Sequence, residues 1–258
     1  MPLKGFFKGE ESIFSSLRSA QSMIRAYEKS LSTRLGRPME TLVFGHAGLP
    51  VLVFPTSGGR FFEFEDQGMV AALAGKVEAG QLQLFCVDSV DAESWYNRSV
   101  EPRQRIHRHL QYEQYILDEF APFIRRQNPH PSLTAMGCSL GGYHAVNIAL
   151  RHPWIFTGAL SFCGAFDLTG FLDGYYDQQC YFNLPTHYLP GLRDPRYLDL
   201  YRRNRFLLAS GWDDHCLTQS QQLDRIMSAA GIAHQFHVWQ ANNSHDWPTW
   251  QRMAQEYL

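Results

Sequence analysis

The segment TAMGCSLGGYHA, residues 134–145, most strongly constrains the fold, because its serine lies between glycines where a short apolar run meets a helical pattern. We predict a strand at 132–136 and a helix at 141–151 around this serine. Gly137 and Gly141 lie two positions on either side of Ser139. A strand that passes directly into a helix brings these two positions close together, so both must be small. The sequence therefore predicts a strained turn that exposes the Ser139 hydroxyl at the edge of a sheet.

The rest of the chain alternates short apolar runs with amphipathic stretches, which is typical of a parallel sheet flanked by helices. Strands are predicted at 24–32, 40–45, 50–54, 82–87, 132–136, 157–162, 205–210 and 235–239. Helices are predicted at 11–20, 66–78, 103–127, 141–151, 217–230 and from near Pro248 to the end. We therefore expect an α/β fold with a mostly parallel, eight-stranded sheet and helices on both of its faces.

The length and apolar content fit one large core. The chain has 258 residues, of which 45% are hydrophobic, and chains of this size commonly form a single α/β domain. We therefore predict one domain over 1–258, with an N-terminal extension at 1–20. The irregular, aromatic stretch at 166–195 is a possible cap segment over the site.

Charge and cysteine usage exclude several classes of partner. The formal net charge is −2 without a long run of one sign, so we expect no nucleic-acid partner. No stretch approaches 18 consecutive apolar residues, and no secretory signal is recognisable, so we expect no membrane partner. Five irregularly spaced cysteines fit free thiols in the cytoplasm. The sequence does not indicate the oligomeric state.

A serine hydroxyl needs a neighbouring base to become a nucleophile. His245 follows the last strand in NNSHDWPTW and is the best candidate among the 11 histidines. His215 is the second choice. His144 is close to Ser139 in sequence, but it lies on the helix after the turn, below the hydroxyl. A carboxylate must orient this base, and Asp213 or Asp214 could do so.

Both aspartates follow the strand at 205–210, and Asp167, after the strand at 157–162, is a lesser alternative. The chain order Ser139, Asp, His245 is that of a strand-end Ser-Asp-His triad. Two backbone N–H groups would stabilise an oxyanion. The first is Leu140 N–H at the helix start, and the second is Ser57 N–H in FPTSGGR, with Thr56 and Gly58 as alternatives.

Four residues are candidates for contact with the substrate: Gly58, Trp95, Tyr175 and Tyr176. For the aromatic residues, packing beneath a loop is an equally good interpretation. We expect no metal and no cofactor, because Asp213, Asp214, His215 and Cys216 are consecutive and should not all face one ion. The Cys138 side chain should point away from the cleft, which argues against a thiol nucleophile.

Three motifs together resemble the esterase D-like branch of the α/β hydrolases, which includes S-formylglutathione hydrolases and mycolyltransferases. GCSLGGYHA resembles its GxSxGG turn, GWDDHCL its Gly-x-Asp-Asp-x-x-Leu segment and HDWPTW its His-x-Trp-x-x-Trp ending. The resemblance spans residues from about 24 to the end, and it implies Asp214 rather than Asp213 as the third triad member. Cys138 departs from it, since a histidine is common there in the thioester hydrolases.

The resemblance implies a serine hydrolase that cleaves a small carboxylic ester or thioester through an acyl-enzyme. An acyltransferase that uses the same triad is one alternative. The other is a binding protein with a hydrolase fold and no catalysis.

Overall fold

The computed structural model describes residues 23–240 and 244–258, so the extension at 1–20 and the helix predicted at 11–20 lie outside the described residues. Eight strands follow the predicted order, with boundaries that shift by up to three residues. They are β1 Arg25–Ser32, β2 Arg37–Phe44, β3 Leu49–Phe54, β4 Leu82–Val87, β5 Thr134–Cys138, β6 Gly158–Phe162, β7 Arg205–Gly211 and β8 Gln235–Trp239.

The eight strands form one sheet in the order β1-β2-β4-β3-β5-β6-β7-β8. Strand β2 pairs antiparallel with both β1 and β4, and every other neighbouring pair is parallel. The predicted fold class is therefore confirmed. Since β5, β7 and β8 run parallel, the segments that follow them emerge at the same edge, where α/β proteins place their ligand sites.

Helices cover both faces of this sheet. Their bounds are α1 Glu63–Asp66, α2 Met69–Ala72, α3 Ala74–Glu78, α4 Pro102–Tyr115, α5 Ala121–Gln127, α6 Leu140–Arg151, α7 Gln178–Phe182, α8 Pro185–Tyr188, α9 Pro195–Tyr201, α10 Leu217–Ala229 and α11 Trp247–Tyr257. A π-helical turn, Ile116–Phe120, joins α4 to α5, and single 3₁₀ turns form at Thr169–Phe171 and Leu189–Gly191. No helix among the described residues is long and apolar enough to cross a membrane.

Two hydrophobic cores lie on opposite sides of the sheet. Along β3, Leu52 and Phe54 belong to one core and Val51 and Val53 to the other, as the alternation of side chains in a strand requires. The first core packs against α4–α6 and α10, and the second against α1–α3 and α11. Both faces of the central strands are thus buried, which explains their continuous apolar runs.

Two sequence predictions about helices were wrong in detail. The single helix expected at 66–78 is three short helices, α1–α3, and Gly68, with φ of +73°, separates the first two. The stretch at 166–195, expected to be irregular, contains α7, α8 and the two 3₁₀ turns. Glycine interrupts both regions and proline the second, so the apolar pattern alone did not give the length of each helix.

Candidate active site

Ser139 occupies the turn between β5 and α6 in a backbone conformation that is rare for a non-glycine residue. Its φ is +54° and its ψ is −122°. A Cβ atom on Gly137 would overlap the backbone of Gly141, and a Cβ on Gly141 would lie 2.5 Å from Pro55 O. The steric reason for both glycines is therefore the one predicted from sequence. The turn is held by packing on both sides, so the strained serine is fixed in place.

The three predicted triad residues lie in one hydrogen-bonded chain. His245 Nε2 is 3.1 Å from Ser139 Oγ, and His245 Nδ1 is 2.8 Å from Asp214 Oδ1. Asp214 is buried, which disfavours its charge, but hydrogen bonds from His245 and from Cys216 N–H outweigh burial and hold the pKa of its carboxyl below the ordinary value. The ring of Trp250 packs edge-on against His245 at 5.1 Å between centroids.

Asp213 has a different partner from Asp214. Its carboxylate accepts hydrogen bonds from both the N–H and the hydroxyl of Ser244, the residue before His245. The Cys163 thiol donates to Ser244 O at 3.3 Å, and a Cβ on Gly211 would overlap the Ser244 side chain. Ser244 is almost fully buried by these contacts. The loop that carries Ser244 and His245 (the histidine loop) is therefore fastened to the end of β7. Sequence reasoning missed this role of Asp213. The signal that could have indicated it was the presence of two adjacent aspartates where the triad needs only one.

The loop after β3 is organised around one carboxylate. Glu63 accepts from Thr56 N–H at 2.8 Å and from the Thr56 hydroxyl at 2.6 Å, and a side chain at Gly59 would displace the Glu63 carboxylate from this position. Burial raises the pKa of Glu63, and the two hydrogen bonds from Thr56 offset only part of that rise. The Thr56 N–H is therefore engaged by Glu63. Ser57, whose N–H is the second oxyanion donor predicted from sequence, is exposed on the same loop. Leu140 N–H opens α6, so it has no acceptor within the helix.

Trp95 does not line an open cleft, contrary to prediction. Its side chain is fully buried and packs against the rings of His109 and Tyr143, at 4.8 and 6.1 Å between centroids. The residue belongs to the core beneath the loop that follows β4. A tryptophan after a strand end can either line a cleft or pack into the core, and Trp95 packs into the core.

The other three candidates for substrate contact lie at the surface or in the aromatic segment. Gly58 is exposed, with φ of +71°. Tyr175 donates its hydroxyl to Asp177 at 2.7 Å, and half-exposed Tyr176 pairs its hydroxyl with His187 Nδ1 at 2.6 Å. The two tyrosines thus hold short turns of the 166–195 segment together, and their hydroxyl partners, Asp177 and His187, are not triad residues.

The alternative residues weighed from sequence have other partners. His144 is buried on α6 and its Nε2 contacts Asp91 Oδ1 at 3.0 Å, so its ring is engaged by Asp91. Asp167 accepts from Thr169 N–H and hydroxyl within its own turn. Cys138 is buried, and burial raises the pKa of its thiol far above the ordinary range, which disfavours a thiolate nucleophile.

Three of the four consecutive residues Asp213–Cys216 bring donor atoms close to His245, and Asp213 is not part of this group. The donor atoms of Asp214, His215, Cys216 and His245 all lie within 4.8 Å of one another. The turn after β7 carries Asp214 and Cys216 inward, while the His215 ring lies against His245, tilted by 46° with 4.0 Å between centroids. Consecutive residues on a tight turn can therefore converge, because their directions do not alternate as they would in an extended strand.

Comparison with known families decides the affiliation of the chain. The Esterase family model, described as "Putative esterase", matches residues 32–256. The chain belongs to this family. The predicted serine esterase is thus confirmed at the level of the family, and family membership implies small-molecule ester substrates. No curated protein sequence matches the chain.

Solved structures share the fold at low sequence identity. A ferulic acid esterase is 17% identical with a TM-score of 0.73, covering 91% of this chain and 95% of its own. An S-formylglutathione hydrolase from Agrobacterium tumefaciens is 16% identical with a TM-score of 0.70, covering 93% and 95%. FphF, a fluorophosphonate-binding serine hydrolase from Staphylococcus aureus, is 15% identical with a TM-score of 0.60, covering 91% and 96%. The predicted α/β-hydrolase fold is confirmed.

Proposed function

We propose that this esterase hydrolyses a small carboxylic ester or thioester in two steps, with Ser139 as nucleophile, His245 as base and Asp214 as the orienting carboxylate. The observation that carries the proposal is the continuous chain from Ser139 Oγ through both nitrogens of His245 to Asp214 Oδ1. This is the arrangement in which a neutral imidazole can accept the serine proton while its other N–H is held by a carboxylate.

In the first step, Ser139 Oγ attacks the acyl carbon and its proton passes to His245 Nε2. The ionised Asp214 stabilises the imidazolium that forms and keeps the ring oriented. His245 then returns the proton to the leaving alcohol or thiol, which departs as the acyl-enzyme forms. In the second step, water attacks the acyl-enzyme, gives its proton to His245, and the acid is released.

We propose Leu140 N–H and Ser57 N–H as the donors to the oxyanion. Leu140 N–H opens a helix, where the helix dipole also favours negative charge. Glu63 occupies Thr56 N–H, which leaves the next amide along the loop for the substrate. Loss of one such donor typically costs about 3 kcal/mol of transition-state stabilisation.

An acyltransferase on the same residues differs only in whether water or an alcohol reaches the acyl-enzyme. Product analysis with an added alcohol separates the two, because transfer yields a new ester and hydrolysis yields the free acid. A binding protein without catalysis is disfavoured by the complete hydrogen-bonded chain, since such a protein has no need of a base aligned on a serine.

The proposal also covers the domain organisation of the enzyme and its location in the cell. We propose that residues 1–258 act as one hydrolase domain with 166–195 as a cap segment. A cytoplasmic location is supported by the five cysteines, all of which are buried and unpaired.

Substitution of Ser139 by Ala tests the assignment. We expect turnover of p-nitrophenyl acetate and of a matched thioester to fall by about a thousandfold or more, with the circular dichroism spectrum unchanged. A folded S139A variant that retains the wild-type kcat would refute the nucleophile.

A further inference from the structure

The cluster formed by Asp214, His215, Cys216 and His245 combines carboxylate, imidazole and thiol donors. This set suits Zn²⁺, which prefers four nitrogen, sulfur and oxygen ligands in a tetrahedron. His245 Nδ1 lies 2.8 Å and His215 Nδ1 3.8 Å from Asp214 Oδ1. Ligand atoms around a tetrahedral Zn²⁺ lie about 3.3–3.7 Å apart. The 2.8 Å pair must therefore open by about 0.5 Å, and donor pairs of up to 4.8 Å must close by about 1 Å.

A second observation points to the same place. Asp214 Oδ2 is buried and has no hydrogen-bond partner of ordinary geometry among the described residues. The Cys163 thiol, which donates to Ser244 O, lies near enough to help lower the pKa of the Asp214 carboxyl, but it leaves this oxygen open to a further partner. Buried carboxylate oxygens are rarely left without a partner. His215, with 70% of its side chain accessible, presents one of the four donors to solvent.

We propose that Asp214, His215, Cys216 and His245 form an inhibitory binding site for Zn²⁺, in which the ion occupies the triad and switches the esterase off. The proposal rests on the proposed function for its effect on turnover, but not for the binding itself. The site is distinct from a catalytic metal centre, since hydrolysis as derived above uses no ion.

The proton balance explains why the bound ion inhibits. Zn²⁺ takes the lone pair of His245 Nδ1, so the single proton of the neutral ring moves to Nε2. Nε2 then faces Ser139 Oγ, at 3.1 Å, as a donor and cannot accept the serine proton. Asp214 is already ionised, but burial raises the pKa of the Cys216 thiol to about 12, so the ion itself must displace that proton to solvent before Cys216 binds as thiolate. Hydrolysis stops because the base is in the wrong tautomer and its orienting carboxylate is occupied.

The first test measures inhibition. We expect micromolar Zn²⁺ to inhibit ester turnover by the wild-type protein, EDTA to reverse the inhibition, and Mg²⁺ to have no effect, because hard cations prefer oxygen ligands. In C216S and in H215N, each compared with its own metal-free rate, half-inhibition should require at least about tenfold more Zn²⁺. C180S, which removes a buried thiol outside the cluster, should respond like the wild type.

The second test detects binding without reference to activity. Titration with Co²⁺ should give a thiolate-to-cobalt charge-transfer band in the wild type and in C180S but not in C216S. The band is expected whether or not the protein hydrolyses the chosen ester, which separates this proposal from the proposed function. Absence of the band in the wild type would overturn the site, and so would equal Zn²⁺ sensitivity of the wild type, H215N and C216S. H215N alters an exposed side chain, so it keeps the test open if C216S does not fold.

Discussion

Two neighbouring aspartates, Asp213 and Asp214, divide the task of fixing the base. Asp214 holds the His245 ring through Nδ1, whereas Asp213 holds the backbone and hydroxyl of Ser244 beside it. One carboxylate therefore controls the tautomer and charge of the imidazole, and the other controls where its loop lies. Spacing along the chain could not separate these roles, because the two residues follow the same strand.

Matched substitutions of the two aspartates should separate their effects on kcat. We expect Asp214→Asn to lower kcat by about ten-thousandfold, because an amide favours the wrong imidazole tautomer. Asp213→Asn should lower kcat by only about ten- to a hundredfold through looser placement of the histidine loop. Steady-state kinetics on one p-nitrophenyl ester measures both. Equal losses in the two variants, or a larger loss in D213N, would contradict the assignment.

At the scale of elements, the turn between β5 and α6 packs directly against the loop that follows β3. Gly141, in the first turn of α6, lies so close to Pro55 and Phe54 that a methyl group there would press on both carbonyl oxygens. The segments that carry the proposed nucleophile and the proposed second oxyanion donor are thus in direct contact. Their relative position depends on the absence of one side chain.

Gly141→Ala tests this contact, and Gly75→Ala is its control. We expect G141A to lower the free energy of unfolding by about 1–3 kcal/mol and to reduce ester turnover, because backbone must shift to relieve the overlap. Gly75 lies within helix α3 with no atom near its missing side chain, so G75A should be neutral or slightly stabilising. Urea unfolding of both variants measures the difference, and a stability of G141A equal to that of G75A would argue against the packing described.

At the scale of the whole molecule, Glu113 joins α4 to the end of α6. Its carboxylate accepts from Arg151 Nε at 2.9 Å and contacts His152. Burial opposes the charge of Glu113, but the hydrogen bond from His152 and the charge of Arg151 outweigh it and lower the pKa to about 2. The ion pair of Glu113 and Arg151 thus connects α6, the helix that follows the proposed nucleophile, to α4.

This lowered pKa gives the fold a defined response to acid. The ionised carboxylate stabilises the folded state at every pH above the ordinary value of 4.5, and this contribution is lost as the pH falls towards 2. We expect Glu113→Gln to lower the free energy of unfolding by about 3 kcal/mol at pH 7 and by less at pH 3.5. Denaturant unfolding of both proteins at the two pH values measures this. A difference that grows on acidification would contradict the sign.

Much of the fold could be predicted from the sequence, because the apolar runs of the parallel strands are buried on both faces and therefore stand out. The same pattern placed Ser139, the pair Asp213 and Asp214, and His245 at strand ends, and the family resemblance favoured Asp214 over Asp213. The roles of Glu63 and Asp213 could not be predicted, because each depends on a contact with another segment. Trp95 was predicted as a candidate for substrate contact but lies in the core, for a related reason. The sequence shows that a side chain is aromatic and apolar, but not which part of the molecule it packs against.

Covalent labelling of the active protein tests the central claim, that Ser139 is the nucleophile, most directly. A fluorophosphonate probe reacts with a serine activated by a base and marks it permanently. After digestion, mass spectrometry should find the adduct on Ser139 in the wild type, with loss of turnover in proportion to labelling, and no adduct in S139A. An adduct on a different residue, or an active protein whose Ser139 remains unlabelled, would contradict the account.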